Sequence, residues 1–210
     1  PSLAIPTHMI RSLLIFCGLL LMPFAACADH ITGGEMFYTL TGFANNQYTY
    51  HVTAKFFKDC AINRQLNTSN FFSVFENGSN EPLQVLTVSL TRTETLNLNN
   101  NNPCITNPPQ VCYEVGYYEF NLVLPASAKG FVIATQVNFR INTINNMTLG
   151  YGNIGATYTA EIPANQAQQN NSARFTASDL VVICSNNAFN YSFAAEDKDG
   201  DILRYSFCQA

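Results

Sequence analysis

A run of carboxylates near the end of the sequence is its clearest candidate for binding chemistry. Four acidic side chains lie within six residues, at Glu196, Asp197, Asp199 and Asp201. Clustered carboxylate oxygens are the ligands that Ca²⁺ prefers, but the spacing is not that of an EF-hand: counted from Asp197, Gly200 is fourth and Cys208 takes the place of the terminal acid. Two interpretations stay open, a weak surface calcium site or a solvated acidic turn that binds no cofactor.

Alternating apolar residues on both sides of this run predict a β-hairpin with the acidic residues at its tip. The alternation comes before the run at Tyr191, Phe193 and Ala195, and after it at Leu203, Tyr205 and Phe207. Gly200 supplies the permissive backbone that a tight turn needs.

The cysteines are candidates for disulfides. Two of the 7 cysteines, Cys17 and Cys27, lie in the apolar N-terminal segment, and the others are Cys60, Cys104, Cys112, Cys184 and Cys208. The short spacing of Cys104 and Cys112, and the predicted hairpin between Cys184 and Cys208, favour these two pairs, although five cysteines leave other pairings open. A zinc site is the weaker interpretation because the chain has no C-x-x-C pair.

Residue types that perform catalysis are sparse. His30 and His51 are the histidines beyond the N-terminal segment, and neither lies in a nucleophile motif such as G-x-S-x-G. Glu114 and Glu119 are the closest carboxylates in a predicted strand, but their odd spacing places them on opposite faces. We therefore expect no enzymatic activity and no catalytic residues.

The body of the chain has the two-residue period of half-buried strands. In residues 47–57, Tyr48, Tyr50, Val52, Ala54 and Phe56 share one face, and Thr49, His51, Thr53 and Lys55 share the other. Further strands are predicted at 35–41, 83–92, 118–124, 131–137 and 156–162, with an exposed edge strand in T-R-T-E-T-L-N-L. No helical stripe is evident, so the sequence predicts an all-β sandwich or barrel.

The N-terminus has the pattern of a secretory signal peptide. From Met9 the chain has one positive residue, Arg11, an apolar stretch at 13–22 and small residues before Asp29. Cleavage after Ala28 is favoured, and the alternative is that F-A-A-C acts as a degenerate lipobox in which Cys27 is lipidated. Both predict export to the outer cell surface or the extracellular space. No later stretch is long enough to span a membrane.

Net charge excludes one class of partner, and breaks in the strand pattern define the predicted domains. A net charge of −4 leaves no basic footprint for nucleic acid. Residues 1–8 are predicted to be an upstream extension, 9–28 the signal peptide, 29–163 a first β-sandwich, 164–178 a polar linker, and 179–210 the start of a second, truncated β-domain.

Several longer motifs resemble one group of proteins. H-I-T-G-G-E-M-F-Y, F-F-K-D-C, N-P-C-I-T-N-P-P-Q-V-C, G-A-T-Y-T-A-E-I-P and D-K-D-G-D-I-L-R-Y-S-F-C are similar to the N-terminal region of large Bacteroidetes surface proteins, the gliding-motility-associated or PKD-domain-containing cargo of type IX secretion. The resemblance implies an Ig-like or PKD-like sandwich, a second Ig-like or cadherin-like domain, and further domains downstream. It specifies no activity.

One departure from that family pattern concerns the cysteines. Where the family commonly has Y-Q-R-C-C-R-N-N-T-I, residues 135–144 have Asn138 and Phe139 in place of the cysteine pair. The resemblance therefore implies that Cys60 has lost its partner and is unpaired.

The expected function follows from export, the all-β fold and the resemblance. It is a non-enzymatic cell-surface structural or adhesion module that contacts surface polysaccharide or another surface protein. The alternatives are an accessory carbohydrate-binding domain of a secreted enzyme and a lipid-anchored binding protein.

Overall fold

The computed structural model is built from β-strands, and it describes residues 31–98, 110–138, 140, 154–164, 169–176, 180 and 186–206. In chain order the strands in these ranges are β1 (Ile31–Ala44), β2 (Gln47–Asp59), β3 (Ser69–Glu76), β4 (Pro82–Ser89), β5 (Arg92–Asn97), β6 (Cys112–Pro125), β7 (Phe131–Val137), β8 (Ala156–Ile162), β9 (Arg174–Phe175) and β10 (Ala195–Glu196). The described ranges contain no helix that is long and apolar enough to cross a membrane.

Eight strands form two antiparallel four-stranded sheets, with strand orders β1-β2-β6-β5 and β4-β3-β7-β8. If β1 to β8 are equated with strands A, B, C, C′, D, E, F and G, these orders are A-B-E-D and C′-C-F-G, the arrangement of an immunoglobulin sandwich. The predicted all-β, Ig-like fold class is thereby confirmed.

The core lies between the two sheets and is rich in aromatic residues. The predicted inward face of β2 is confirmed, because its five members are all buried: Tyr48, Tyr50, Val52, Ala54 and Phe56. They pack in one cluster with side chains of the facing sheet, including Phe72, Val74, Phe131 and Ile133. Burying a large apolar side chain contributes about 1.5–3 kcal/mol, so this alternation is the main stabilising feature of the fold.

The predicted strand bounds differ from the observed ones in two places. The predicted strand 83–92 is two strands, β4 and β5, which belong to different sheets and are separated at Leu90 and Thr91. Strand β3 was not predicted. The exposed edge strand predicted in T-R-T-E-T-L-N-L is confirmed as β5.

The disulfide of the sandwich joins Cys60 to Cys112, with their Cα atoms 5.4 Å apart. Two predictions are therefore wrong: Cys60 is not unpaired, and Cys112 does not bond to Cys104. The reason is strand register, because Asp59 of β2 lies opposite Tyr113 of β6. Cys60 follows Asp59 and Cys112 precedes Tyr113, so antiparallel pairing brings the two cysteines opposite each other. The Cys60 N–H donates to the Cys112 carbonyl at 3.1 Å. Cys104, Cys184 and Cys208 lie outside the described residues.

The turn between β6 and β7 is fixed by a small polar cluster. The Ser127 hydroxyl accepts from the backbone N–H groups of Lys129 and Gly130 at 3.0 and 3.1 Å and donates to Glu76 at 3.0 Å. The Lys129 ammonium donates to the other Glu76 oxygen at 3.1 Å. These hydrogen bonds, the one from Lys129 first, hold the pKa of Glu76 below its ordinary value of 4.5.

This cluster predicts a dependence of stability on acid. Because the folded-state pKa is lowered, the stabilisation by Glu76 is present above pH 4.5 and is lost as the pH falls through the folded-state value. We expect Glu76→Gln to be destabilised relative to wild type at neutral pH and to approach it under strongly acidic conditions. Urea unfolding midpoints of both proteins at neutral and at strongly acidic pH measure this. A difference in unfolding free energy between wild type and Glu76→Gln that does not change with pH would contradict it.

Candidate functional site

The outer edge of β1 is covered by residues 169–176, which we call the junction segment. The Ser172 N–H donates to the Tyr38 carbonyl at 3.1 Å, and the Ser172 hydroxyl accepts from the Tyr38 N–H at 2.7 Å. Two residues along, the Leu40 N–H donates to the Asn171 side-chain oxygen at 2.9 Å. Side chains of the junction segment thus replace the backbone partners that a neighbouring strand would supply.

Tyr38 connects β1 to both β8 and the junction segment. Its ring is buried, its hydroxyl donates to the Glu161 carbonyl at 2.9 Å, and the Asn170 amide donates to the same hydroxyl at 3.1 Å. Burial raises the pKa of the Tyr38 hydroxyl above its usual value, and the charges of Asp199 and Asp197 raise it further. The hydroxyl therefore keeps its proton and remains a donor to β8.

Arg174, at the start of β9, holds the junction segment to the outer face of β1. Its guanidinium donates to the Thr39 hydroxyl at 2.7 Å and lies 4.2 Å from the centroid of the Phe37 ring. In the two-stranded sheet of β9 and β10, Arg174 is also opposite Glu196. One residue therefore contacts the sandwich and belongs to the strand pair that carries the acidic run.

The acidic run forms a tight turn, which we call the acidic turn (residues 196–201). The Asp197 carboxylate accepts from the N–H groups of Asp199 and Asp201 at 2.8 and 3.3 Å, and the Gly200 N–H donates to the Asp197 carbonyl at 3.2 Å. Gly200 has φ of 79°, the left-handed region that glycine adopts without steric cost. Asp197 and Gly200 are thus the residues that form the turn.

Asp199 attaches the acidic turn to the junction segment. One carboxylate oxygen accepts from the Asn171 backbone N–H at 2.6 Å, and the other accepts from the Asn171 side-chain amide at 2.7 Å. Asn171 is only 9% exposed, and it also holds Leu40 of β1. Asp199, Asn171 and Leu40 form a continuous path of hydrogen bonds from the acidic turn to the sandwich, which we call the Asp199 clamp.

The structure places the four predicted calcium ligands in different roles. Asp197 accepts from backbone N–H groups, Asp199 accepts from Asn171, and Glu196 belongs to β10. Asp201 contributes its own N–H to the turn. Within the described ranges, no three His, Cys, Asp or Glu residues are grouped so that they could hold a metal ion. Calcium binding at the acidic turn stays a prediction.

The predicted hairpin around the acidic turn is wrong in its pairing. β10 pairs with β9, so Ala195 lies opposite Phe175 and not opposite a residue of 202–206. Residues 202–206 form no strand. The Tyr205 hydroxyl links them to β10, since it accepts from the Ala195 N–H at 3.1 Å. Of the predicted alternation, Tyr191, Phe193 and Tyr205 are exposed, and Ala195 is paired with β9 instead.

A polar cleft of about 420 Å³ lies where β1, the junction segment and the acidic turn meet. Its lining mixes hydroxyl, basic and acidic side chains, among them Thr39, Arg174, Glu196 and Lys198. The acidic and basic side chains of the lining balance in charge. The lining also contains residues that hold the junction segment to β1 and to the acidic turn.

Sequence reasoning missed the residues that matter most here, Asn170, Asn171, Ser172 and Tyr38. The stretch Q-N-N-S at 169–172 has no period and therefore predicts a linker, whereas Asn171 and Ser172 are bonded to β1. The signal that could have identified it is the type of side chain, since Asn and Ser pair readily with nearby backbone groups.

Other predicted residues behave as expected or fall outside the described residues. His51 is on the outer face of its sheet, 3.1 Å from the Asn121 side-chain oxygen. Glu114 and Glu119 do lie on opposite faces, paired with Lys58 and Arg92 respectively. The signal peptide, Cys27 and His30 lie outside the described residues, as do most residues of 177–185.

Comparison of the chain with protein-family models, with curated proteins and with solved structures finds no significant match.

Proposed function

We propose that the chain is a non-enzymatic, exported cell-surface module whose Ig-like sandwich acts as a rigid spacer, holding the adjoining part of the same polypeptide at a fixed orientation. The observation that carries this proposal is the double attachment of the junction segment. It is bonded along β1 through Asn171 and Ser172, and it is held from the other side by Asp199.

The contacts of the junction segment with β1 fix its orientation as well as holding it in place. Backbone bonds at Tyr38 and Leu40 set the register of the junction segment along β1, and Arg174 sets its position against Phe37. Bonds to an ionised carboxylate are roughly twice as strong as neutral ones. A chain leaving the sandwich through such contacts has fewer orientations than one leaving through a flexible linker.

Two further observations fit a module that works outside the cytoplasm. The Cys60–Cys112 disulfide is compatible with an oxidising compartment. The pattern of the first 28 residues supports a signal peptide, and the family resemblance supports a place within a long adhesion or gliding protein of Bacteroidetes. The partner in this proposal is surface polysaccharide or another surface protein.

An accessory carbohydrate-binding role is the second candidate, and one cleft favours it. Phe175, Phe193 and Tyr205 are each about 60% exposed and line an apolar cleft of about 470 Å³ with Arg204. Exposed aromatic rings of this kind can stack on sugar rings.

The outer face of the β1-β2-β6-β5 sheet is a poorer platform for sugars. A cation lies over each of three of its aromatic rings: Arg174 over Phe37 at 4.2 Å, Lys55 over Phe57 at 5.7 Å and Arg92 over Tyr117 at 3.3 Å. A sugar would have to displace these cations to stack.

The spacer proposal is tested by a distance measurement. Spin labels introduced as non-natural amino acids at Thr95 of β5 and at Lys198 of the acidic turn, both exposed, report the geometry between the sandwich and the turn. We expect a single narrow distance distribution. A broad distribution in the wild-type background would reject the rigid spacer.

Binding of soluble polysaccharides distinguishes the two candidates. A retarded band in affinity electrophoresis that Phe193→Ala abolishes would favour the carbohydrate-binding role. As a matched control, Phe43→Ala removes an aromatic ring that is 50% exposed at the far end of β1. Loss of binding in both variants would indicate non-specific adsorption.

A further inference from the structure

The strand pair of β9 and β10 separates two kinds of surface. Successive residues of a strand lie on opposite faces, so Arg174 and Glu196, which lie opposite each other, share one face. Phe175 and Ala195 are likewise opposite each other and share the second face. The first face borders the polar cleft beside β1, and the second borders the apolar cleft of about 470 Å³, which we call the aromatic cleft. The described residues that line the aromatic cleft are Phe175, Phe193, Arg204, Tyr205 and Ser206.

Arg204 is the only charged side chain among these lining residues, and it is exposed. Four other basic side chains each pair with a carboxylate, namely Lys55, Lys58, Arg92 and Lys129. In the part of the chain that the structure describes, no carboxylate pairs with Arg204. A guanidinium is a permanent cation whose fork of N–H groups suits a carboxylate or a similar oxyanion. The aromatic cleft therefore carries a positive charge that is available to a ligand.

The acidic turn is close to Arg204 in sequence, but its carboxylates have other roles. The Asp199 carboxylate is bonded to Asn171, and the Asp197 carboxylate accepts from N–H groups of the turn itself. Glu196 lies on the other face of β10 and borders the polar cleft. Because no acidic residue is among the described residues that line the aromatic cleft, an anionic ligand would meet a cation and apolar rings there.

The three rings of the aromatic cleft are more than half exposed, and two of them are positioned by contacts of their own. Phe193 packs edge-on against Tyr191, with ring centroids 4.8 Å apart, and the Tyr205 hydroxyl is bonded to the Ala195 N–H. Within the described residues no cation lies over any of the three rings, in contrast to the outer face of the β1-β2-β6-β5 sheet. Their faces are therefore available to the C–H groups of a sugar ring.

We propose that the aromatic cleft binds an anionic polysaccharide, with its rings packed on the sugar and Arg204 paired with a carboxylate or sulfate group. Charge complementarity selects this occupant. A neutral glycan would leave the Arg204 guanidinium without a partner, and an acidic peptide would pair with Arg204 but offer little apolar surface to three rings. The proposal rests on the carbohydrate-binding candidate for this cleft, whose ligand class it specifies, and it is independent of the spacer role.

The test compares polysaccharides in pairs that differ in charge. Polygalacturonate carries a carboxylate on each sugar, and its methyl ester has the same sugars without that charge. Dextran sulfate and dextran form the second pair. We expect isothermal titration calorimetry at about 0.15 M salt to show that the anionic member of at least one pair binds at least about tenfold more tightly than the neutral member. The pair that shows this difference identifies the anion.

Three variants connect the expected difference to the aromatic cleft. Arg204→Gln should raise the dissociation constant of the anionic member to that of the neutral member, whose own constant should change by less than about twofold. Phe193→Ala should weaken binding of both members, because both pack on the ring. The matched control is Lys198→Gln, which removes the same charge from an exposed residue that lines the polar cleft, and it should change either constant by less than about twofold. Circular dichroism checks that each variant is folded.

Four outcomes would overturn the inference. Equal affinity for anionic and neutral members, lost in Phe193→Ala, would keep the carbohydrate-binding role and reject the selection of charge by Arg204. Equal losses in Arg204→Gln and Lys198→Gln would assign the preference to the general charge of the surface. Binding of poly-glutamate that depends on Arg204, with no binding of the four polysaccharides, would assign the cleft to an acidic protein. Absence of binding to all of these ligands would reject the carbohydrate-binding role together with the inference.

Discussion

Replacing Cys60 and Cys112 together with serine is expected to lower the free energy of unfolding by about 4 kcal/mol. The disulfide closes a loop of 52 residues, and a cross-link of that span removes much of the freedom of the unfolded chain. The loop contains β3, β4 and β5, which belong to both sheets, and the bond closes it between the end of β2 and the start of β6. Equilibrium unfolding in guanidinium chloride, with the free-thiol content of each sample confirmed, measures the difference.

Single substitutions distinguish the observed pairing from the one expected from sequence spacing. Cys60→Ser and Cys112→Ser should each cost nearly as much as the double change, because each removes the same bond. If Cys104→Ser were as costly as Cys112→Ser while Cys60→Ser cost nothing, the Cys60–Cys112 bond would be wrong. Peptide mapping of the unreduced chain gives the same answer without stability data.

The sandwich could be predicted from the sequence where one face of a strand is apolar and the other is polar. In β2, Tyr50 and Val52 alternate with Thr49 and His51, and burial follows this period. β3 was missed because Phe71 and Phe75 on its outer face give S-N-F-F-S-V-F-E no clean alternation, while inward-facing Asn70 is buried. The period identifies a strand only when the solvent face is polar.

The disulfide and the junction could not be predicted because both depend on long-range register. Cys60 and Cys112 meet only once β2 and β6 have paired, and sequence spacing carries no information on that pairing. Similarly, β9 and β10 are two residues each and have no period of their own. The acidic turn itself was correctly predicted, since Asp and Gly at 197–200 encode it locally.

Of the changes that test the proposed function, removal of the Asp199 clamp has the largest expected effect. Two hydrogen bonds from Asn171 to the Asp199 carboxylate join the acidic turn to the junction segment. Each such bond to a charged group contributes about 1.5–3 kcal/mol when shielded, and the exposure of Asp199 reduces the combined value to about 2 kcal/mol. Losing 2 kcal/mol raises the population of a detached junction segment about 30-fold.

Asp199→Ala should therefore make the Arg174–Phe175 peptide bond about 30-fold more susceptible to trypsin, provided that cleavage requires the junction segment to open. In the wild-type chain the Arg174 side chain is held by Thr39 and Phe37 and is not free to enter a protease.

The matched control is Asp201→Ala, which removes the same charge from the same turn but breaks no bond to Asn171. Equal cleavage of the two variants would show that the charge of the turn, and not the clamp, protects the junction. Cleavage of Asp199→Ala at the wild-type rate would show that β1 holds the segment unaided. A faster rate in Asp199→Ala alone would support the orientation-fixing role proposed for the module, because the residue that sequence reasoning assigned to calcium would then be the one that fixes how the chain leaves the sandwich.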